Sequence, residues 1–284
     1  MSTIAAKAVG PRTTPGVFNR TPVGWLVAQR CIRFPPGVFA QVPLGFPFRR
    51  FLNTIPLIMN LLAMETSGPV LSVAIKKSGA KLRHATVEGY MKHAENLLPV
   101  INRLLQKEKL KIRDIDAFLI GRGPGSFTGL RIGFATLKGF LATRPRPCYG
   151  ALSLDLIAAG MRPERHTNLT VCLDARRGKL YARSYRYRGK RWNSCGPSRV
   201  LPIDPMVSGL SRGSWIAGDG VKKFDSSRFV VAPEKSWHSK ASTLIALFET
   251  KNPLLKKLLD PKEFLPVYLR NSEAEERLKD KRHV

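Results

Sequence analysis

The apolar positions of the chain change their period several times, and each change marks an element. Leu61 to Met64 and Val70 to Ile75 are short apolar runs separated by Thr66-Ser67-Gly68-Pro69, a turn cluster, so two strands joined as a hairpin are predicted. Lys81 to Val87 reads as a third strand. From Met91 to Lys109, Ala94, Leu97, Leu98, Ile101, Leu104 and Leu105 recur at the spacing of one helical face, which predicts an amphipathic helix. Ile115 to Ile120 is a fourth strand and runs into the glycine-rich stretch 121–129. A second helix follows over Leu130 to Thr143, carrying Leu130, Phe134, Leu137 and Leu141. Strand, helix, strand, helix predicts an α/β layer structure.

The second half has another texture. Asn168 to Asp174 and Lys179 to Tyr187 read as two strands joined by Ala175-Arg176-Arg177-Gly178. A Pro-rich stretch follows, then a strand over Ser214 to Ala217 that ends in Gly218-Asp219-Gly220. Ala241 to Phe248 and Pro253 to Leu259 are predicted as short helices. The expected division is an N-terminal lobe over residues 59–165 and a smaller C-terminal lobe over 166–284.

Residues 1–58 stand apart. Residues 1–60 hold no Asp or Glu, seven Lys or Arg, and many Pro and Gly, and this composition ends abruptly at Met59. A transit peptide, a flexible tail that contacts RNA, and upstream sequence ahead of a true start at Met59 all fit this basic extension.

Charge changes the picture next. The chain carries 48 Lys and Arg against 20 Asp and Glu, a formal +28, and such a field attracts polyanions. The cations are spread along the chain, so uniform surface decoration fits as well as a nucleic-acid stripe. Cys31, Cys148, Cys172 and Cys195 show no C-x-x-C spacing, which fits a reducing compartment and no zinc site. No apolar run approaches the length that spans a bilayer, so no membrane role is expected.

The stretch Gly121 to Gly129 carries two chemistries. Gly123, Gly125, Ser126 and Thr128, after a strand and before a helix, could bring backbone N–H groups to a phosphate. The spacing matches neither dinucleotide nor P-loop fingerprints. Alternatively, Ser126 or Thr128 caps the helix, and Gly125, Gly129 and Gly133 leave a flat edge for another helix to approach. Glycine inside a helix costs about 0.5–1 kcal/mol relative to alanine, so Gly133 and Gly139 each ask for a compensating contact.

The run Gly121-Arg122-Gly123-Pro124-Gly125-Ser126-Phe127-Thr128-Gly129-Leu130-Arg131-Ile132-Gly133 closely resembles the signature of the TsaB (YeaZ) family. Residues 59–67, 93–99, 173–181, 218–220 and 266–270 are similar to further family segments, and the resemblance covers residues 59–276. It implies a two-lobed actin-like (ASKHA, RNase H-like) fold with mixed sheets flanked by helices, in a bacterial cytoplasmic protein. It also implies a non-catalytic dimerisation and activating subunit for threonylcarbamoyl transfer to adenosine 37 of tRNA. The implied partners are a TsaD homologue as heterodimer, a TsaE-type ATPase, a second copy as homodimer, and tRNA through the complex. No tightly bound cofactor is expected, with ATP or ADP allowed at the partner boundary.

The residues can be held against that implication. His84, His93, His166, His238 and His283 include no two that are three to five apart, so a helical His pair for metal is not expected, and isolated His84 and His93 read as surface or cap residues. Glu65 stands where the family usually has Asp at the end of the first strand. It reads as a cap on the Thr66-Ser67 turn, and its extra length argues against magnesium-nucleotide chemistry. Asp174 and Arg176 are expected to pair, and Ser126 has no His partner for a nucleophile's role. The expected association face is Leu97, Leu98, Ile101 and Leu105 with Leu130, Arg131, Phe134 and Leu137, against the reading that these side chains cover the sheet. Two other functions stay open: an ATP-dependent enzyme of the actin-like superfamily, and a basic tRNA-binding protein.

Overall fold

A computed structural model describes residues 59–89, 92–163, 168–259 and 263–270. The basic extension 1–58, Met91, His166 and His283 lie outside the described residues.

The first sheet forms from β1 (Leu61–Glu65), β2 (Val70–Lys76), β3 (Arg83–Glu88), β4 (Ala117–Gly121), β5 (Cys148–Ala151) and β12 (Lys256–Leu258), in the order β12-β5-β4-β1-β2-β3. It is mixed. β1 runs antiparallel to β2 and parallel to β4, so the hairpin and the crossover share one strand. The continuous apolar runs are explained by cover on both faces. Leu62, Met64, Phe118 and Ile120 point to one side, where α1 (His93–Lys107) and α2 (Phe127–Thr143) pack with Leu97, Ile101, Phe134 and Leu137. Leu61, Ala63, Ala117 and Leu119 point to the other and meet Leu244 and Ile245 of α5 (Ala241–Glu249).

The second sheet has the order β11-β10-β6-β7-β8, with β9 on the free side of β7: β6 (Asn168–Asp174), β7 (Lys179–Arg188), β8 (Arg191–Ser194), β9 (Arg199–Pro202), β10 (Trp215–Ala217) and β11 (Val230–Val231). Its core gathers Leu169, Val171, Tyr185, Trp192, Ile216 and Trp237. The short helix α4 (Ile203–Ser208) adds Met206. Between the sheets runs α3 (Ser153–Ala159), which gives Leu154, Ile157 and Ala158 to the second core and Leu156 to the first.

Two expectations change. Pro253 to Leu259 is no helix: its Leu-Lys-Lys-Leu pattern pairs antiparallel with β5 as strand β12. Asn252 turns the chain beforehand, its side chain accepting from Leu254 N at 3.0 Å. The C-terminal lobe drawn over 166–284 also loses α5 and β12, which return to the first sheet. Among the described residues no helix is long and apolar enough to cross a membrane.

Candidate functional site

The signature loop joins β4 to α2, and its glycines face backbone. A Cβ on Gly125 would meet the Ser67 carbonyl, one on Gly129 the Thr66 carbonyl, and one on Gly133 the Thr66 hydroxyl at 2.5 Å. The flat edge predicted for a helix is therefore occupied by the β1–β2 turn. Gly139, six residues past the last contact, has nothing within 4 Å, so the compensation expected there is missing. Ser126 caps α2 as the motif suggests, its Oγ accepting from Gly129 N at 3.2 Å while its own N–H donates to Ser67 O at 2.7 Å. The loop is tied on its other side too, by Ser153 N donating to Gly123 O and Val267 N to Arg122 O.

Beneath this loop Glu65 is fully buried. Its Oε1 accepts from Ser67 N at 2.7 Å, which is the turn cap expected from sequence, and the Ser153 hydroxyl donates to Oε2 at 3.4 Å. Ser67 and Ser153 hydroxyls share a further bond at 2.6 Å. Burial pushes the Glu65 carboxyl above the usual carboxylate range, and the surrounding donors only partly offset it. A Cβ at 121 would overlap this carboxylate, so the first glycine of the signature exists to admit Glu65.

Between the sheets lies a cleft of about 630 Å³, lined among others by Ser67, Ser126, Phe127, Asp174, Arg176 and Asp219. Glu65 is not among its lining residues. Asp174 accepts from Arg176 N at 2.7 Å and pairs with Arg176 Nη1 at 3.5 Å, as predicted, and with Lys223 Nζ at 3.3 Å. Asp219 accepts from Asp174 N at 3.0 Å, and burial raises its pKa above the ordinary carboxylate value. At the mouth Phe127 stacks on Tyr268 at 4.6 Å, and Arg270 donates to Ala175 O. Both acids of the cleft thus already have protein partners. Among the described residues no group of three His, Cys, Asp or Glu side chains is placed to hold a metal.

The structure corrects most of the expected association face. Leu97, Ile101, Leu105, Phe134 and Leu137 are buried in the first-sheet core, Leu130 is buried next to Gly123 of the signature loop, and none of them presents anything to a partner. Helical spacing locates an apolar stripe without saying what covers it, and here the sheet does. Leu98 is 53% exposed and Arg131 is exposed, so these two remain on the outer face of α1 and α2, beside exposed Ala94 and Ala135. His84 is exposed as expected. His93 is buried instead, each ring nitrogen 3.1 Å from a carbonyl oxygen, of Gly68 and Gly89.

One buried constellation went unread in the sequence. Asp155 Oδ1 accepts from Arg183 Nη1 and from Tyr185 Oη, each at 2.7 Å. It locks α3 to β7. The seven-residue helix is too short for its periodicity to stand out, and Asp155 lies thirty residues from Tyr185.

The geometry can be set beside known proteins. The family described as "TsaD: tRNA N6-adenosine threonylcarbamoyltransferase" matches residues 88–225. The tRNA threonylcarbamoyladenosine biosynthesis protein TsaB of Escherichia coli K12 is 33% identical over 162 residues, 56% of this chain and 70% of that protein. The chain belongs to the TsaB family. The TsaB of Haemophilus influenzae is 32% identical over 124 residues, 43% of this chain and 52% of that relative. The solved YeaZ of Pseudomonas aeruginosa superposes with a TM-score of 0.63 at 26% identity, over 74% of this chain and all of that one. The two-lobed actin-like α/β fold expected of the TsaB family is the fold observed.

Proposed function

We propose that this chain serves tRNA threonylcarbamoyladenosine synthesis as a non-catalytic pairing and activating subunit, joined to a TsaD-type transferase through the outer face of α1 and α2. The observation that carries the non-catalytic reading is Glu65. The acid at the end of β1 is sealed under the signature loop, hydrogen-bonded to its own turn, and absent from the cleft lining. Of the glycines that could have cradled a phosphate, Gly125 instead receives the Ser67 backbone and Gly123 faces the Leu130 side chain and the Val267 carbonyl. Membership in the TsaB family supplies the pathway.

Leu98 supports the pairing face. A half-exposed leucine beside Ala94, with Ala135 and Arg131 on the adjacent helix, offers an apolar centre with a charged rim, the usual anatomy of an interface. The test is size-exclusion chromatography with light scattering on the full chain, alone and mixed with the TsaD homologue of the same organism. A heterodimer is expected, and Leu98→Asp should abolish it while circular dichroism stays unchanged. A complex that survives both Leu98→Asp and Arg131→Glu moves the interface elsewhere. No complex under any nucleotide condition ends the subunit reading, and ATP turnover by the chain alone would favour an enzyme working in the cleft.

A further inference from the structure

We infer that the outer face of the β7–β8 hairpin is a contact surface for the phosphate backbone of RNA. This rests on the tRNA-pathway reading above and adds a site to it.

Side chains alternate along β7. Arg183 and Tyr185 turn inward to Asp155, and Tyr187 lies against Trp192 at 5.2 Å, which in turn donates its indole N–H to Met161 O. The intervening Ser184, Arg186 and Arg188 are exposed on the opposite face. Across the hairpin, Arg188 stands directly opposite Arg191, and Arg186 opposite Asn193. Like charges facing each other across two strands repel, so this pairing lowers the stability of the hairpin that carries it. The turn adds another cation. Gly189 and Lys190 have φ of 60° and 61°, the left-handed pair that a two-residue hairpin turn requires, and a lysine takes this conformation less readily than glycine or asparagine.

Some of the chain's cations elsewhere find acids: Arg83 pairs with Glu108, Lys76 with Glu249, Lys222 with Glu234, and Arg176 and Lys223 with Asp174. Arg186, Arg188, Lys190 and Arg191 pair with no carboxylate among the described residues. The polar partner seen is neutral, Asn168 Oδ1 accepting from Arg186 Nε at 3.1 Å. Asn168 and Ser184 flank the arginines with groups that can hydrogen-bond phosphate or ribose oxygens, while the Asn193 amide donates to the Arg188 and Arg191 carbonyls and so braces the turn. The aromatic rings of the hairpin face inward and leave this surface without the apolar side chains that enter a lipid interface. Arginine's planar fork suits phosphate oxygens, and the inward anchoring of Tyr185 and Trp192 fixes the strands that carry the forks.

The experiment measures unmodified tRNA binding to the full chain, alone and with the TsaD homologue, from 50 to 200 mM salt. Arg186→Gln/Arg188→Gln/Arg191→Gln is compared with Lys235→Gln/Lys256→Gln/Lys257→Gln, which removes the same charge from exposed sites elsewhere. Three lost phosphate contacts should make the slope of log K against log salt shallower by about 2. Wild type would then lose about 20-fold more affinity than the arginine variant across that range. Near-UV circular dichroism verifies that the variant is folded. If both triple variants weaken binding alike, the surface is non-specific and the assignment falls. If the hairpin variant binds tRNA like wild type yet still pairs with the TsaD homologue, the hairpin is overturned and the subunit reading stands. Tighter binding to phosphatidylserine vesicles than to tRNA, lost in the arginine variant, would reassign the face to a membrane and overturn the proposal.

Discussion

Two glycines of α2, ten residues apart, should respond to the same substitution with opposite signs. In an exposed helix interior, Gly→Ala gains about 0.5–1 kcal/mol because the unfolded chain loses conformational freedom and the helix becomes better solvated. Gly139 meets that condition, being exposed with nothing within 4 Å of a built Cβ. Gly139→Ala should therefore stabilise by about 0.5–1 kcal/mol, a rise of roughly 2 °C in Tm for a chain of this size. At Gly129 the same methyl would stand 2.1 Å from the Thr66 carbonyl oxygen. That carbonyl cannot withdraw freely, since the next residue is fixed by Ser67 N to Glu65 and by Ser126 N to Ser67 O, both at 2.7 Å. Relieving the overlap means moving the turn and the Glu65 cap together. Overpacking of this kind costs about 1–3 kcal/mol and exceeds the helix gain, so Gly129→Ala should be destabilising. Urea unfolding of the full chain by far-UV circular dichroism reads both. Trp192, Trp215 and Trp237 all report on the second core, so fluorescence run in parallel also shows whether the first lobe weakens alone. A Gly129→Ala protein as stable as wild type would refute the packing account of the signature.

Asp155→Ala removes the shared acceptor of Arg183 and Tyr185 and strands a cation in a half-buried site; a loss of about 3–5 kcal/mol is expected in urea unfolding, and a loss below 1 kcal/mol would mean the constellation is ornamental. Glu65 gives a pH test. Its folded-state pKa is raised by burial above the ordinary 4.5, so its contribution to stability is complete below that pH and is lost as pH rises through the folded value. Glu65→Gln keeps an acceptor for Ser67 N without the charge, and its stability relative to wild type should improve between pH 4.5 and pH 8. A difference that stays flat with pH would show that the carboxylate is not penalised.

What the sequence made legible follows the range of each signal. Strands β1 to β4 of the first sheet and the helices over Leu97 and Phe134 stood out because their signals are local. The direction in which those helices face did not, because Leu97 and Leu98 are equally apolar and only the sheet beneath separates core from surface. The glycine spacing of the signature was plain, whereas the atoms it makes room for belong to Thr66 and Ser67, some sixty residues earlier in the chain. Pro253 to Leu259 was misread because paired leucines around paired lysines satisfy either period, and pairing with β5 decided between them. Cys148–Ala151 and Ser153–Ala159 are too short to show any period at all.

The brevity of α3 hides its mechanical importance. Its side chains belong to two cores at once, its first residue bonds the β1–β2 turn, and its Asp155 is clamped by the far sheet. In actin-like architecture a cleft between lobes invites opening and closing about a hinge. Here any such rotation would strip one side of α3 or break the clamp. The two halves are thereby geared into one body, and a surface on the second lobe keeps a fixed bearing relative to the pairing face proposed on the first.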